Sequence, residues 1–458
     1  MTPYTFIKSA LLGATALVAS SIAFAQSEPS FGGGTSDPFG GRGRAADFDG
    51  AVFVMSNDVD QNSVVAYGRR DDGTLSLIGE FATGGQGSTD FDGPEGLDPL
   101  ISGDAVVLSD DRRQLFVVNA GSNSVSAFQI GDDLRLRLTD TEFVNGIAPN
   151  SIAYRDGVII VSSIDADGVF TGEPDQEGAI EAFSVARNGN LRSIRGSRRV
   201  LENRPSNVRF SPDGRFITVT SINAGSVLLN GGDTPELVVF GVDRNGVPTP
   251  SALAEASSTA FGNTDGRNLA SAISHEIVED DGRQFVVVSE AREFSSDGLP
   301  PTFPNLQAGS ISSWELGEFG SLTPVSLDVL SGGGVLDGMR TTCWLEFSAD
   351  GEEFWASNTV DSNISAFSFD EGVVEFVDIV ADQQGEVSRT DGPLAFGTQS
   401  DGFIDMAASD NGEYLYQLLG LRGQVNVYKT EDDGSLSLIQ TTPTGNLPTI
   451  DTQGIAAF

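Results

Sequence analysis

Short apolar runs broken by tight-turn signals recur along the chain, and they fall into one four-strand pattern repeated seven times. The first strand of each unit ends in Asp-Gly, Asn-Gly or a close variant. The clearest copies are SNVRFSPDGR from Ser206, CWLEFSADGE from Cys343 and FIDMAASDNG from Phe403, with weaker ones at Asp104, Asn150 and Ser274. Gly in these turns supplies the positive φ that a hairpin needs. A second strand follows each marker. These end at Asn57, Asn119, Ser163, Ser221, Glu290, Asn358 and Gly420. The third strands share one aromatic column: Tyr67, Phe128, Phe183, Phe240, Trp314, Phe367 and Tyr428. An aromatic repeated once per unit suits packing between neighbouring blades. A weaker fourth strand closes each unit, as in GTLSLIGEF and GSLSLIQTT.

The pattern predicts an all-β, seven-bladed β-propeller of four-stranded antiparallel blades over residues 50–458. The first unit lacks an inner strand at its start, and GIAAF, from Gly454 to Phe458, has the character to supply it. Such a join would close the ring and remove an exposed sheet edge.

Upstream of the repeat, Lys8 precedes an apolar run from Ala10 to Phe24, and Ala23-Phe24-Ala25 fits a signal-peptidase site. The run is shorter than the roughly 20 residues of a membrane span. Residues 1–25 are therefore expected to be a signal peptide, and residues 26–49, rich in Gly, Ser and Asp, a flexible leader. The protein is expected to be exported, to a periplasm or the exterior. The formal net charge is −39, so phosphate backbones and anionic lipid would be repelled, and nucleic acid is not expected as a partner. Cys343 is the single Cys and excludes an internal disulfide. One His excludes a multi-His metal site. No cofactor is expected; calcium held by Asp-rich loops, such as Asp165 to Glu177, is the alternative. A monomer with a small-molecule ligand, a lactone or a carbohydrate, is the expected form.

The loops joining second to third strands are short in blades 1, 2, 6 and 7. They are long in blades 3, 4 and 5, at 164–178, 222–235 and 291–309. Adjacent long loops would wall one side of a channel mouth, where binding groups commonly sit. The second-strand ends and inner-strand starts would face that mouth. Among them Glu290 is the one acid in a column of amides and hydroxyls, and burial could make it a base. His275 lies in the same blade, and Arg292, Arg340 and Arg204 lie close in sequence. A carboxylate or imidazole base beside an Arg suits the opening of a lactone. Glu290, His275, Arg292 and Arg340 are thus the expected catalytic set. Asn57, Asn119, Asn150, Arg204, Asn207 and Asn358 are the expected substrate-binding residues.

With FSPDGRFITVT, CWLEFSADGEEFWASNTVDSNISAF and IDMAASDNGEYLYQLL, the chain resembles the lactonase-like seven-bladed propellers of bacteria and fungi. That family includes 6-phosphogluconolactonases and carboxymuconate cyclases. The resemblance spans about Val52 to Phe458 and implies a metal-free lactonase-type hydrolase or a lactone-forming cyclase. A non-catalytic ligand- or protein-binding propeller is the reading from another class. Catalytic members place His at inner-strand starts, where this chain has Pro149-Asn150 and Pro205-Ser206-Asn207.

Overall fold

The computed structural model describes residues 48–88, 99–164, 178–202, 204–222, 235–258, 267–294, 309–332, 341–359, 361–382, 401–431 and 433–458. The expected signal peptide, the long loops of blades 3 and 4, most of that of blade 5, the acidic run from Asp165 and Arg340 lie outside these residues.

Seven antiparallel sheets follow one another around a ring. Blades 2, 4, 5, 6 and 7 each use four consecutive strands, and their inner strands are Val106–Leu108, Arg204–Phe210, Arg267–Asp280, Thr342–Phe347 and Phe403–Ala408. In blade 3 the inner strand is Pro149–Arg155, and the outer place is shared by two short strands, Leu191–Ser193 and Arg199–Leu201. Blade 1 holds Gly50–Met55, Ser63–Arg69 and Leu75–Ala82, with Ile455–Ala457 as its inner strand. Val52, Phe53 and Val54 pair with Ala457, Ala456 and Ile455, so the C-terminal strand closes the ring as the pattern predicts.

The aromatic column is buried in every blade. In five blades the aromatic, at Tyr67, Phe128, Trp314, Phe367 or Tyr428, sits at a register shift between third and fourth strands. A bulge there bends the strand and re-aims the ring.

The inner hairpins of blades 2, 4, 6 and 7 share one hydrogen-bonded turn. Ser109, Ser211, Ser348 and Ser409 each donate from Oγ, at 2.7 Å, to the Asp or Asn two residues on. Each also accepts the backbone N–H five residues on, at 3.0 to 3.1 Å. The recurring Ser-x-Asp/Asn signature is thus a side-chain clamp on the turn. Blades 3 and 5 use Asp156-Gly157 and Asp281-Gly282, both residues at positive φ, as a two-residue hairpin requires.

Candidate functional site

The channel is blocked on one side by its own chain. The segment 99–103, which leads into blade 2, crosses the face where the inner strands begin. The Ser102 carbonyl accepts from Trp344 Nε1 of blade 6 at 3.1 Å and from Gln453 Nε2 at 2.7 Å. Ser102 Oγ donates to the Asn150 carbonyl at 2.8 Å, and Gly103 N–H to the Ser206 carbonyl at 3.1 Å. A Cβ at Gly103 would stand 3.1 Å from Asn207 Nδ2 and 3.2 Å from Ser274 Oγ, so the close pass favours glycine. Ile101 carries a φ of 47°, an unusual value for a β-branched residue.

What remains of the channel is a cavity of about 540 Å³ lined by inner strands and by the turns that end them, including Asp110, Arg112, Pro212, Ala349 and Asp410. It therefore opens on the hairpin-turn face, opposite the mouth that the long loops would wall.

One position of the inner strand sets the chemistry of this cavity. Arg209, Glu276 and Glu346 stand opposite Thr218, Val287 and Trp355, each three residues before the second strand reaches Ser221, Glu290 and Asn358. They form one column in blades 4, 5 and 6. The matching residues elsewhere, Val107, Ala153, Ala407 and Ala456, are apolar, and they line the cavity too. Arg209 reaches sideways to Glu276, with Nη2 to Oε1 at 2.5 Å. Past blade 3 it meets Asp104, with Nη2 donating to Oδ1 at 3.1 Å and Nε 3.0 Å from Oδ2. Asn207 Nδ2 donates to that Oδ2 at 2.7 Å and orients the carboxylate. Arg209, Asp104 and Glu276 keep 27, 20 and 17 % of their side-chain surface open to the channel.

The electrostatics follow from several acids meeting one base. Burial pushes the Glu346 carboxyl up to about 7, and Asp104 adds to the rise; the Arg209 charge and a backbone bond from Ala408 oppose it. Burial likewise raises Glu276 well above the usual carboxylate range against the pull of Arg209, with Glu346 and Asp104 raising it further. Burial works against the Arg209 charge, yet Asp104, Glu276, Glu346 and Asp405 outweigh it and hold the guanidinium above its ordinary value. Near neutral pH the cavity thus presents a fixed cation beside a carboxyl poised to gain or lose a proton.

His275 and Glu290, expected from the sequence to act at the opposite mouth, are both buried. His275 is fully buried between blades 4 and 5; its Nε2 is 2.6 Å from Thr218 Oγ1 and its Nδ1 3.4 Å from Thr220 Oγ1. Burial, then the Arg209 charge, holds the ring well below its ordinary value, so it is neutral. Glu290 is also fully buried, and its Oε2 accepts from Ser310 Oγ at 2.6 Å. Neither residue lines the cavity. Arg292 lies on the strand Arg283–Phe294, and Arg340 lies outside the described residues.

The amides make hydrogen bonds within and between blades. Asn119 and Asn358 bind their own hairpins, donating to Ser126 Oγ at 2.8 Å and Ser365 Oγ at 2.7 Å, and accept from Thr83 and Thr342 at 2.6 Å. Asn57 ties Ser88 and Asp451 together. Asn150 bridges Ser162 and Pro205. Asn207 accepts from the His275 N–H at 3.2 Å, besides its bond to Asp104. Arg204 is buried with Nη2 directed to the Leu100 carbonyl at 3.4 Å. Of this set, Asn207 alone touches the acid–base cluster. The sequence signal for the cluster was a charge two residues before the turn serine, in VRFS and LEFS, where the matching turns of blades 2 and 7 carry Val107 and Ala407.

No protein-family model matches the chain, and no curated protein matches it in sequence. Solved structures do match in fold. A candidate 6-phosphogluconolactonase from Bacteroides fragilis superposes with a TM-score of 0.58 at 14% identity, covering 89% of this chain and 98% of that one. A second, from Bacteroides uniformis, gives 0.59 at 14% identity over 88% and 98%. A periplasmic gluconolactonase from Pseudomonas aeruginosa gives 0.57 at 15% identity over 88% and 99%.

Proposed function

We infer the function from the architecture, which is that of the lactonase-like seven-bladed propellers; no described helix is long and apolar enough to cross a membrane. We propose that the protein is an exported lactone hydrolase whose reaction takes place in the hairpin-face cavity. The observation that carries this reading is the Glu346 carboxyl, pushed up to about 7 in a cavity that it shares with Arg209. A base with such a value is well matched to neutral pH. Deprotonated Glu346 would take a proton from water as the oxygen adds to the lactone carbonyl. Arg209 would stabilise the charge that develops on the carbonyl oxygen. The ring C–O bond then breaks, and the proton held on Glu346 passes to the departing alkoxide, giving a hydroxy acid. Sugar and aromatic lactones are the substrate classes to test, and the periplasmic location of one structural neighbour supports the exported setting.

Turnover of a lactone panel should depend on an ionisation near pH 7 and fall about 100-fold or more in Glu346→Gln, whereas Glu290→Gln and His275→Ala should spare kcat in whatever fraction remains folded. Loss of turnover in Glu290→Gln with Glu346→Gln active would move the base to the opposite face. A second reading, a non-catalytic binding propeller, is favoured by the pairing of Arg209 with Asp104 and Glu276 before any ligand arrives. Saturable lactone or carbohydrate binding without turnover would select it.

A further inference from the structure

We propose that Arg112 and Asp410 form a gate across the mouth of the channel cavity. In the four serine-clamped turns the residue three after the serine takes a left-handed conformation. It is Gly214, Gly351 and Gly412 in blades 4, 6 and 7, at φ 70°, 75° and 69°, but Arg112 in blade 2, at φ 58°. An L side chain is strained there, and strain retained in a fold points to something the residue supplies. The turn gains nothing from it, since the Ser109 bonds match those of the other three.

What Arg112 supplies is a guanidinium at the rim. Its Nη2 and Nε donate to the two carboxylate oxygens of Asp410 at 2.6 and 3.1 Å. Asp410 belongs to the equivalent turn of blade 7, so the pair passes over blade 1. Blade 1 has no inner hairpin at that place, because its two inner strands, Ile455–Ala457 and Gly50–Met55, come from opposite ends of the described chain. Both residues line the cavity, and the segment 99–103 occupies the other face. The two side chains keep 39 and 51 % of their surface exposed, so the pair is water-screened and opens readily. A ligand passing the blade 1 sector of the mouth must part it. The gate does not depend on what chemistry the cavity performs.

The test places a thiol behind the gate. In Ala407→Cys, on the cavity wall, the rate of labelling by a neutral methanethiosulfonate is followed by peptide mass spectrometry. Native Cys343, buried and outside the cavity lining, reports global loosening in the same sample. Adding Arg112→Gly or Asp410→Asn should speed labelling at position 407 by up to about fivefold, the population change a surface ion pair can supply. The two together should add nothing further, and high salt should speed the parent but not the variants. Labelling of Cys343 should stay constant, and the melting temperature of Arg112→Gly should hold or rise as the turn strain is relieved. Unchanged labelling at 407 across variants and salt, or a rise matched by Cys343, would overturn the gate.

Discussion

Replacing Arg209 with Met removes the cation around which Asp104, Glu276, Glu346 and Asp405 are gathered. Breaking a buried ion pair costs about 3–5 kcal/mol, because the partner charge is left uncompensated. Here 27 % of the Arg209 side-chain surface is open to channel water, so screening brings the expected loss to about 2–3 kcal/mol at pH 8. The loss should depend on pH, and its sign can be worked out. Glu276 and Glu346 both titrate higher in the folded than in the unfolded chain, and for Glu346 the fold holds the extra proton between roughly pH 4.5 and 7. Their contribution is therefore present at low pH and is lost as pH rises through the folded values. For Glu346 this amounts to an upper bound of about 3 kcal/mol, and about 1–2 after allowance for channel water. The Arg209 charge opposes the rise of both carboxyls, so without it both titrate higher still and the slope steepens. At pH 5, below the folded value of Glu346, the variant should lose less, about 1–2 kcal/mol, roughly the worth of the missing hydrogen bonds. Urea unfolding of wild type and Arg209→Met at pH 5 and pH 8, with unchanged m-values, measures both numbers. A loss equal at the two pH values, or below about 1 kcal/mol at pH 8, would refute the electrostatic account of the cluster.

Other consequences are as specific. Trp344→Phe deletes the Nε1 bond to Ser102 and should cost about 1 kcal/mol in denaturant unfolding, with faster amide exchange across 99–103. The Asp213 carboxyl is held down at about 2: burial opposes this, but bonds from Ser211 and Arg215 outweigh it. Its stabilisation is present above about pH 4 and lost as pH falls toward 2, so Asp213→Asn should cost about 1 kcal/mol at pH 6 and flatten the acid limb of the stability curve. Deleting Gly454 to Phe458 strips blade 1 of its inner strand and exposes the edge of Gly50–Met55. It should cost about 4 kcal/mol or more and promote self-association, read by thermal melting and light scattering.

The fold was legible because its signals are local and repeated. Tyr67 and Tyr428 announce the same column hundreds of residues apart, and GIAAF has the apolar character of the inner strand it supplies. The cluster was hard to see for the opposite reason. Arg209, Glu276 and Glu346 are single departures in otherwise regular strands, about 70 residues from one to the next, and only the side-by-side packing of blades 4, 5 and 6 brings them to one cavity. The polar residues at strand ends drew attention because they recur, yet their recurrence reports hairpin bonding, as the matched partners of Asn119 and Asn358 show. The covered face had no sequence signature at all, since the segment 99–103 lies across the channel through bonds to residues as distant as Trp344 and Gln453.

The most direct test of where the chemistry resides is a crystal structure with a lactone-derived hydroxy acid soaked into the protein. The account predicts density in the hairpin-face cavity, with the product carboxylate or an adjacent water between Glu346 and Arg209. Density on the opposite face, beside Glu290 and over the segment 99–103, with an empty cavity, would contradict it.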